Sequence, residues 1–97
     1  MKSGPERKYA EWIKQQPCRV CLDDTNTDPH HIKGVLPSGV GTKVPWLFQI
    51  PLCRRHHDLL HSMGWSTWER TMRVSQAVEC IRTIDRAMFE GVIKVDL

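Results

Sequence analysis

Three of the four cysteines and all five histidines of this 97-residue chain fall in three short clusters. They are Cys18-Arg19-Val20-Cys21, His30-His31, and Cys53-Arg54-Arg55-His56-His57-Asp58-Leu59-Leu60-His61. Histidines scattered through a core would not gather in this way. A chain this short buries a limited apolar core, and bound metal commonly supplies the missing stability. The pattern therefore predicts a fold organised around metal ligands.

The first and third clusters make one such site. Cys18-x-x-Cys21 is a tight turn presenting two thiolates, and Cys53-x-x-His56 is the same device with an imidazole as its second ligand. Together they form a Cys3His tetrahedron, the donor set of a closed structural zinc site. Two disulfides are the alternative for four cysteines, and a redox pair is the alternative for a lone Cys-x-x-Cys. The spacing and the absence of a thioredoxin-like pattern favour metal. A C2H2 finger from Cys18, Cys21, His57 and His61 would need 35 residues between Cys21 and His57 and would leave Cys53 and His56 unexplained.

His57 and His61 stand four residues apart on an expected helix, so their imidazoles share one face. His56 is rotated by about 100° from His57. It can face the structural zinc while His57 faces the other way. His30 and His31, if extended, point to opposite sides, so one can bind metal while the other does something else. Three neutral histidines leave coordination positions open to water or a phosphate oxygen, as catalytic sites do. The competing readings are a polar surface or a second structural metal.

Around these clusters the chain divides into three segments within one expected domain, 1–97. A helix is expected at about 4–16, with Ser3 and Glu6 as its capping box, Tyr9, Trp12 and Ile13 as its apolar face, and Pro17 as its end. A ligand-bearing unit occupies about 17–63. Its Val44–Leu52 stretch has strand character but contains Pro45 and Pro51, and Arg54–Ser62 reads as a helix capped by Gly64. A C-terminal helix is expected at about 66–90, opened by a second capping box, Ser66 to Glu69. Its core-facing stripe would be Trp68, Met72, Ala77, Ile81, Ile84 and Met88, with a kink near Val74-Ser75. Cys80 should be a reduced, buried thiol. The class read from these segments is small α+β, a zinc knuckle flanked by one N-terminal and one C-terminal helix.

Charge points to the same segment. The net charge is +3, and residues 1–57 carry nine Lys/Arg against five Asp/Glu, whereas 58–97 carry five against six. The positive excess lies beside the metal ligands, which fits an anionic partner. No apolar run is long enough to span a bilayer, and the N-terminus lacks the apolar stretch of a signal peptide. The expected compartment is the cytosol, where thiols stay reduced.

The order Cys-x-x-Cys, His-His, a glycine-rich loop, then Leu-Cys-x-x-His-His-x-x-x-His resembles the HNH (ββα-metal, His-Me finger) nucleases. Asp28 to Gly34, Gly39 to Lys43 and Leu47 to His61 are similar to the phage recombination-enhancement nucleases, which are Ref-like and RecA-dependent. The resemblance covers roughly 17–93 and is most specific across 28–61. It implies a ββα-metal core, with a metal clamped between a β-hairpin and a helix. His30, His57 and His61 would be the ligands of that metal and His31 the general base, with Cys18, Cys21, Cys53 and His56 left as the structural zinc site.

The implied activity is metal-dependent hydrolysis of DNA phosphodiester bonds, with Mg, Mn, Ni or Zn at the second site and a RecA-type filament as a partner. The alternative is a non-catalytic zinc-stabilised module that binds DNA or protein. Lys33, Lys43, Arg54 and Arg55 are the expected phosphate contacts, and the loop Gly34–Lys43 would bring backbone close to phosphate. One position departs from the family pattern. HNH enzymes usually carry Asn or Asp on the second hairpin strand to orient the base. Counting back from Pro51-Leu52-Cys53 places that position at Trp46, which cannot accept a hydrogen bond. Gln49, the nearest polar residue, is expected on the opposite strand face. Trp46 is expected to stack on a base or to pack in the core.

Overall fold

The computed structural model describes residues 4–34 and 45–94. The loop residues 35–44, including Lys43, lie outside the described residues, as does the proposed cap Ser3. The element order is α1 (Gly4–Ile13), β1 (Thr27–His31), β2 (Gln49–Cys53), α2 (Arg54–Met63), α3 (Trp65–Met72) and α4 (Gln76–Phe89). This is a small α+β fold with a ββα unit at its centre. No helix among the described residues is long and apolar enough to cross a membrane.

The two strands pair antiparallel, from Thr27 opposite Cys53 to His31 opposite Gln49. Pro29 sits opposite Pro51. Flanking bonds from Arg54 N–H to Asn26 O and from Ile32 N–H to Phe48 O set the ladder's alternation. The two prolines therefore fall at a non-hydrogen-bonded pair, where neither missing N–H would face the partner strand. Strand β2 is short, as the prolines lead one to expect, with Pro51 at its centre. The outward carbonyl of Pro51 accepts from Arg19 N–H at 3.0 Å, which docks the Cys18–Cys21 turn on β2.

All five residues of β2 are buried, although the sheet has only two strands. Ile50 and Leu52 join Cys18, Ile32, Cys53, Leu60, Trp68 and Cys80 in one core cluster. Tyr9, Trp12, Ile13 and Ala87 form a second. Half-buried Ile84 packs against both, and Trp12 Nε1 donates to Glu90 Oε1 at 3.0 Å, tying α1 to the end of α4.

Helix α1 stops three residues short of expectation. Residues 14–16 close as turns, with Gln15 and Gln16 N–H bonded to Trp12 and Ile13 carbonyls before Pro17. The expected C-terminal helix is two helices. Arg73 adopts a left-handed conformation (φ 56) at the end of α3, and the Ser75 side chain caps α4 by accepting from Val78 N–H. The Ser66 capping box does not form, because α3 begins at Trp65, directly after the shared cap Gly64 (φ 86).

That break resets the helical phase. Trp68 is fully buried, but Ile81 and Met88 face solvent, as do Val78 and Phe89. The buried face of α4 is instead Gln76, Glu79, Cys80, Thr83 and Ala87. Cys80 is buried as expected, and desolvation pushes its thiol up to about 11.

Candidate metal centres

Cys53 ends β2 and is also the N-cap of α2, so strand passes into helix with no loop. This junction places His56 one turn into the helix. Its Nδ1 lies 3.1 Å from Cys53 Sγ and 3.8 Å from Cys18 Sγ, and Cys21 Sγ is 3.8 Å from Cys53 Sγ. One donor atom from each of Cys18, Cys21, Cys53 and His56 lies within 4.8 Å of the others. Around a tetrahedral zinc, two sulfurs at ~2.3 Å are about 3.8 Å apart, and a sulfur and a nitrogen about 3.5 Å. A disulfide would need about 2.0 Å. The four residues therefore fit a structural zinc site, and all four cysteines are free.

The turn that carries Cys18 and Cys21 is held by Leu22 N–H to Cys18 O (2.8 Å) and Cys18 N–H to Asp23 O (2.9 Å). Leu22 pays for this closure with a left-handed φ of 64. Burial disfavours the Cys18 thiolate, but backbone N–H groups of Cys53, Cys21 and Val20 outweigh it and hold this thiol below its ordinary value. Cys53 is pushed up to about 11 by desolvation and by the charge of Cys18. Three thiolates this close need a cation among them. His56 is lowered by desolvation and by Arg55, so its imidazole is ready to donate a lone pair.

The second group is His30, His57 and His61, whose donor nitrogens also lie within 4.8 Å of one another. His30 comes from β1, and His57 and His61 from adjacent turns of α2. His57 Nε2 and His61 Nε2 are 3.1 Å apart. Two nitrogens at ~2.0 Å from a tetrahedral ion are about 3.3 Å apart. Asp28 Oδ2 faces His57 Nδ1 at 3.6 Å, leaving Nε2 as the donor of His57. The His30 ring is buried (2% exposed), and its pKa falls to about 4, chiefly by desolvation, against the raising effect of Gln76. It is neutral at physiological pH. The set fits a divalent ion and leaves coordination positions over.

His56 and His57 thus join different groups, and His30 and His31 part likewise. His30 is buried, whereas His31 is exposed at the end of β1. Arg54 is exposed but bound to Asp28 Oδ2 at 2.9 Å. Arg55 is exposed at the start of α2, and Lys33 is exposed beside the three histidines. Lys33, Leu60, His61, Gly64 and Trp65 line a shallow cavity of about 180 Å³. Trp65 closes over Gly34, where an added Cβ would stand 2.0 Å from the indole, so a larger residue at this left-handed position (φ 70) would have to push the indole aside.

Trp46 is elsewhere. It precedes β2 and meets Tyr9 edge-on, with ring centroids 5.8 Å apart, within the α1 core cluster. The strand residue across from His31 is Gln49, not Trp46, and the expectation that Gln49 lies on the wrong face is corrected by this register. The Gln49 amide donates to Trp46 O. Sequence reasoning gave no role to Asp28 or Gln76, and placed Glu69 only in a capping box. Asp28 lay within the His-His motif, but Gln76 is 46 residues from His30, and no local pattern marks it.

The family model described as "Protein of unknown function (DUF968)" matches residues 1–91. "Uncharacterized protein YdfU" of Escherichia coli (strain K12) is 42% identical over 89 residues, which are 91% of this chain and 24% of that protein. The chain therefore spans about a quarter of that relative's length. No solved structure matches.

Proposed function

The chain belongs to the DUF968 family, and from that footing we propose that it is a metal-dependent DNA endonuclease of the HNH type. The observation that carries this reading is the open three-histidine group on a ββα unit, beside a closed Cys3His group. A closed donor set suffices where metal serves only the fold, whereas three histidines leave positions for water or a phosphate oxygen.

His30, His57 and His61 would hold the divalent ion, which is Mg, Mn, Ni or Zn in this proposal. When bound, such an ion supplies positive charge for a phosphate oxygen and for the leaving oxygen. His31, exposed at the end of β1 next to His30 in sequence, takes a proton from the attacking water as a neutral imidazole. Gln49, its cross-strand partner, stands in for the usual Asn or Asp as the group that orients it. Lys33, Lys43 and Arg55 hold the DNA backbone. Arg54 serves Asp28 first, and through it His57. The cavity walled by Trp65 suits a base or sugar next to the scissile phosphate. A phage or prophage setting and a RecA-type filament as partner belong to the same proposal, and rest on the sequence resemblance.

The second reading is a zinc-stabilised binding module without turnover. It is favoured by the lack of a carboxylate or Asn across from His31. Incubation of the protein with supercoiled plasmid and single-stranded DNA, with each of the four metals and with and without a recombinase filament, separates the two. Metal-dependent conversion to nicked or linear DNA supports the nuclease. Intact DNA under every condition, with retained DNA binding, gives the module.

A further inference from the structure

Gln76 is a fully buried polar residue at the start of α4, and every hydrogen-bonding position of its amide is used. Its oxygen accepts from Lys33 N–H at 3.0 Å and lies 2.9 Å from His30 Nε2. Its nitrogen donates to Lys33 O at 2.9 Å and to Glu69 Oε2 at 3.1 Å. The Gln76 backbone N–H donates to the same Glu69 oxygen at 3.0 Å. Amide oxygen and nitrogen often cannot be told apart by position alone, but here their partners decide. A backbone N–H only donates and a backbone carbonyl only accepts, so Lys33 fixes which end of the amide is oxygen.

The consequence falls on His30. An amide oxygen has no proton to give, so the nitrogen facing it must carry one. A neutral imidazole has a single N–H. His30 Nε2 is therefore the protonated nitrogen, and Nδ1 bears the lone pair.

We infer that Gln76 is a positioning residue for the second metal group: it holds His30 as the Nε2–H tautomer, so that His30 offers Nδ1 while His57 and His61 offer Nε2. This rests on the metal reading above only for what the lone pair is used for. The tautomer itself follows from the hydrogen bonds. Glu69 completes the device by holding the Gln76 amide from behind, so α3 and α4, on either side of the break at Arg73, act together on a residue of β1. Outer partners of this kind orient a metal-binding imidazole, and their loss commonly costs about tenfold to a hundredfold in metal affinity.

The test uses the zinc-containing protein labelled with ¹⁵N-histidine, read by long-range ¹H–¹⁵N spectra before and after cadmium is titrated in. His30 should show a proton on Nε2 throughout, and cadmium should perturb its Nδ1 but the Nε2 atoms of His57 and His61. Gln76→Met, similar in volume, should let His30 sample both tautomers and weaken cadmium binding about tenfold to a hundredfold. A role in packing alone would leave both the tautomer and the cadmium affinity unchanged in Gln76→Met.

A proton on Nδ1 of His30 in the wild type overturns the inference, as does a Gln76→Met protein that keeps the Nε2–H tautomer and full affinity. If Gln76→Met does not fold, the wild-type spectrum decides alone. Should the wild type show the Nε2–H tautomer and bind no cadmium at the three histidines, the tautomer assignment stands and the metal reading fails.

Discussion

The two donor groups share a helix and differ in almost everything else. The Cys3His group is drawn from the Cys18–Cys21 turn and the β2–α2 junction. Its four donors fit a tetrahedron and bring the turn onto the junction. The three-histidine group grades outward, from buried His30 through half-buried His57 to exposed His61. Each of its inner members has a polar partner behind it, Gln76 for His30 and Asp28 for His57. A closed group uses its ion to hold the chain. An open group uses the chain to hold its ion. Loss of the ion from the closed group should therefore unfold the protein, whereas loss of the ion from the open group should leave the fold standing.

The largest effect tests that asymmetry at its base. Cys53→Ser, or removal of zinc by chelation, should abolish the cooperative thermal transition seen by circular dichroism. Binding energy at structural zinc sites runs to about 10–16 kcal/mol, as much as or more than the ~5–15 kcal/mol that separates most folded domains from unfolded ones. A cooperative melt surviving in the zinc-free protein would erase the distinction from this side.

His57→Ala attacks it from the other side. This variant should keep one tightly bound zinc per chain and a melt close to wild type, while losing the second metal and, with it, DNA cleavage. Metal content by mass spectrometry, read beside the melt, checks this. Collapse of the fold would mean that the histidine group is structural too.

His31→Ala is narrower. Both metals should remain, and cleavage should fall about 10²–10⁴-fold, the usual contribution of a positioned general base. Metal titration of plasmid cleavage separates the two histidine variants, since added metal partly restores a weakened ligand site but not a missing base.

What the sequence could not reveal follows from the same geometry. Adjacent histidines facing different groups were legible, because 100° per residue on a helix and alternation on a strand are local rules. The end of α2 at Gly64 was legible for the same reason. The break in the last helix was legible only as a kink near Val74-Ser75; a full stop and restart was not, since Arg73 is left-handed with nothing in its side chain to announce it. Once the phase was reset, Ile81 and Met88 turned to solvent, and polar Gln76, Glu79 and Thr83 turned inward. Those polar residues brace the two groups: Gln76 holds His30, and Glu79 Oε1 accepts from Arg19 Nε at 2.8 Å, inside the Cys18–Cys21 turn. Such pairings span 46 and 60 residues of sequence, where periodicity says nothing.

The smallest effect concerns that turn. Leu22 is left-handed (φ 64) and its side chain is 66% exposed, so it gives up backbone comfort with little burial in return. The conformation is enforced by closure, because Leu22 N–H must reach Cys18 O for the two thiols to converge. A left-handed conformation costs a non-glycine residue about 1–2 kcal/mol, and glycine's freer unfolded chain returns about 0.4–1 kcal/mol of any relief. Leu22→Gly should therefore gain about 0.5–1 kcal/mol, or a rise of roughly 2–8 °C in Tm for a domain of this size. Because the relief lies in the turn that presents Cys18 and Cys21, zinc should also leave more slowly in competition with a chromogenic chelator. Arg73→Gly makes a useful partner. It relieves the same kind of strain (φ 56) in the segment between α3 and α4, away from the thiols, so it should raise Tm without slowing zinc release. If both variants slowed release equally, zinc would be reporting global stability rather than the geometry of its own turn.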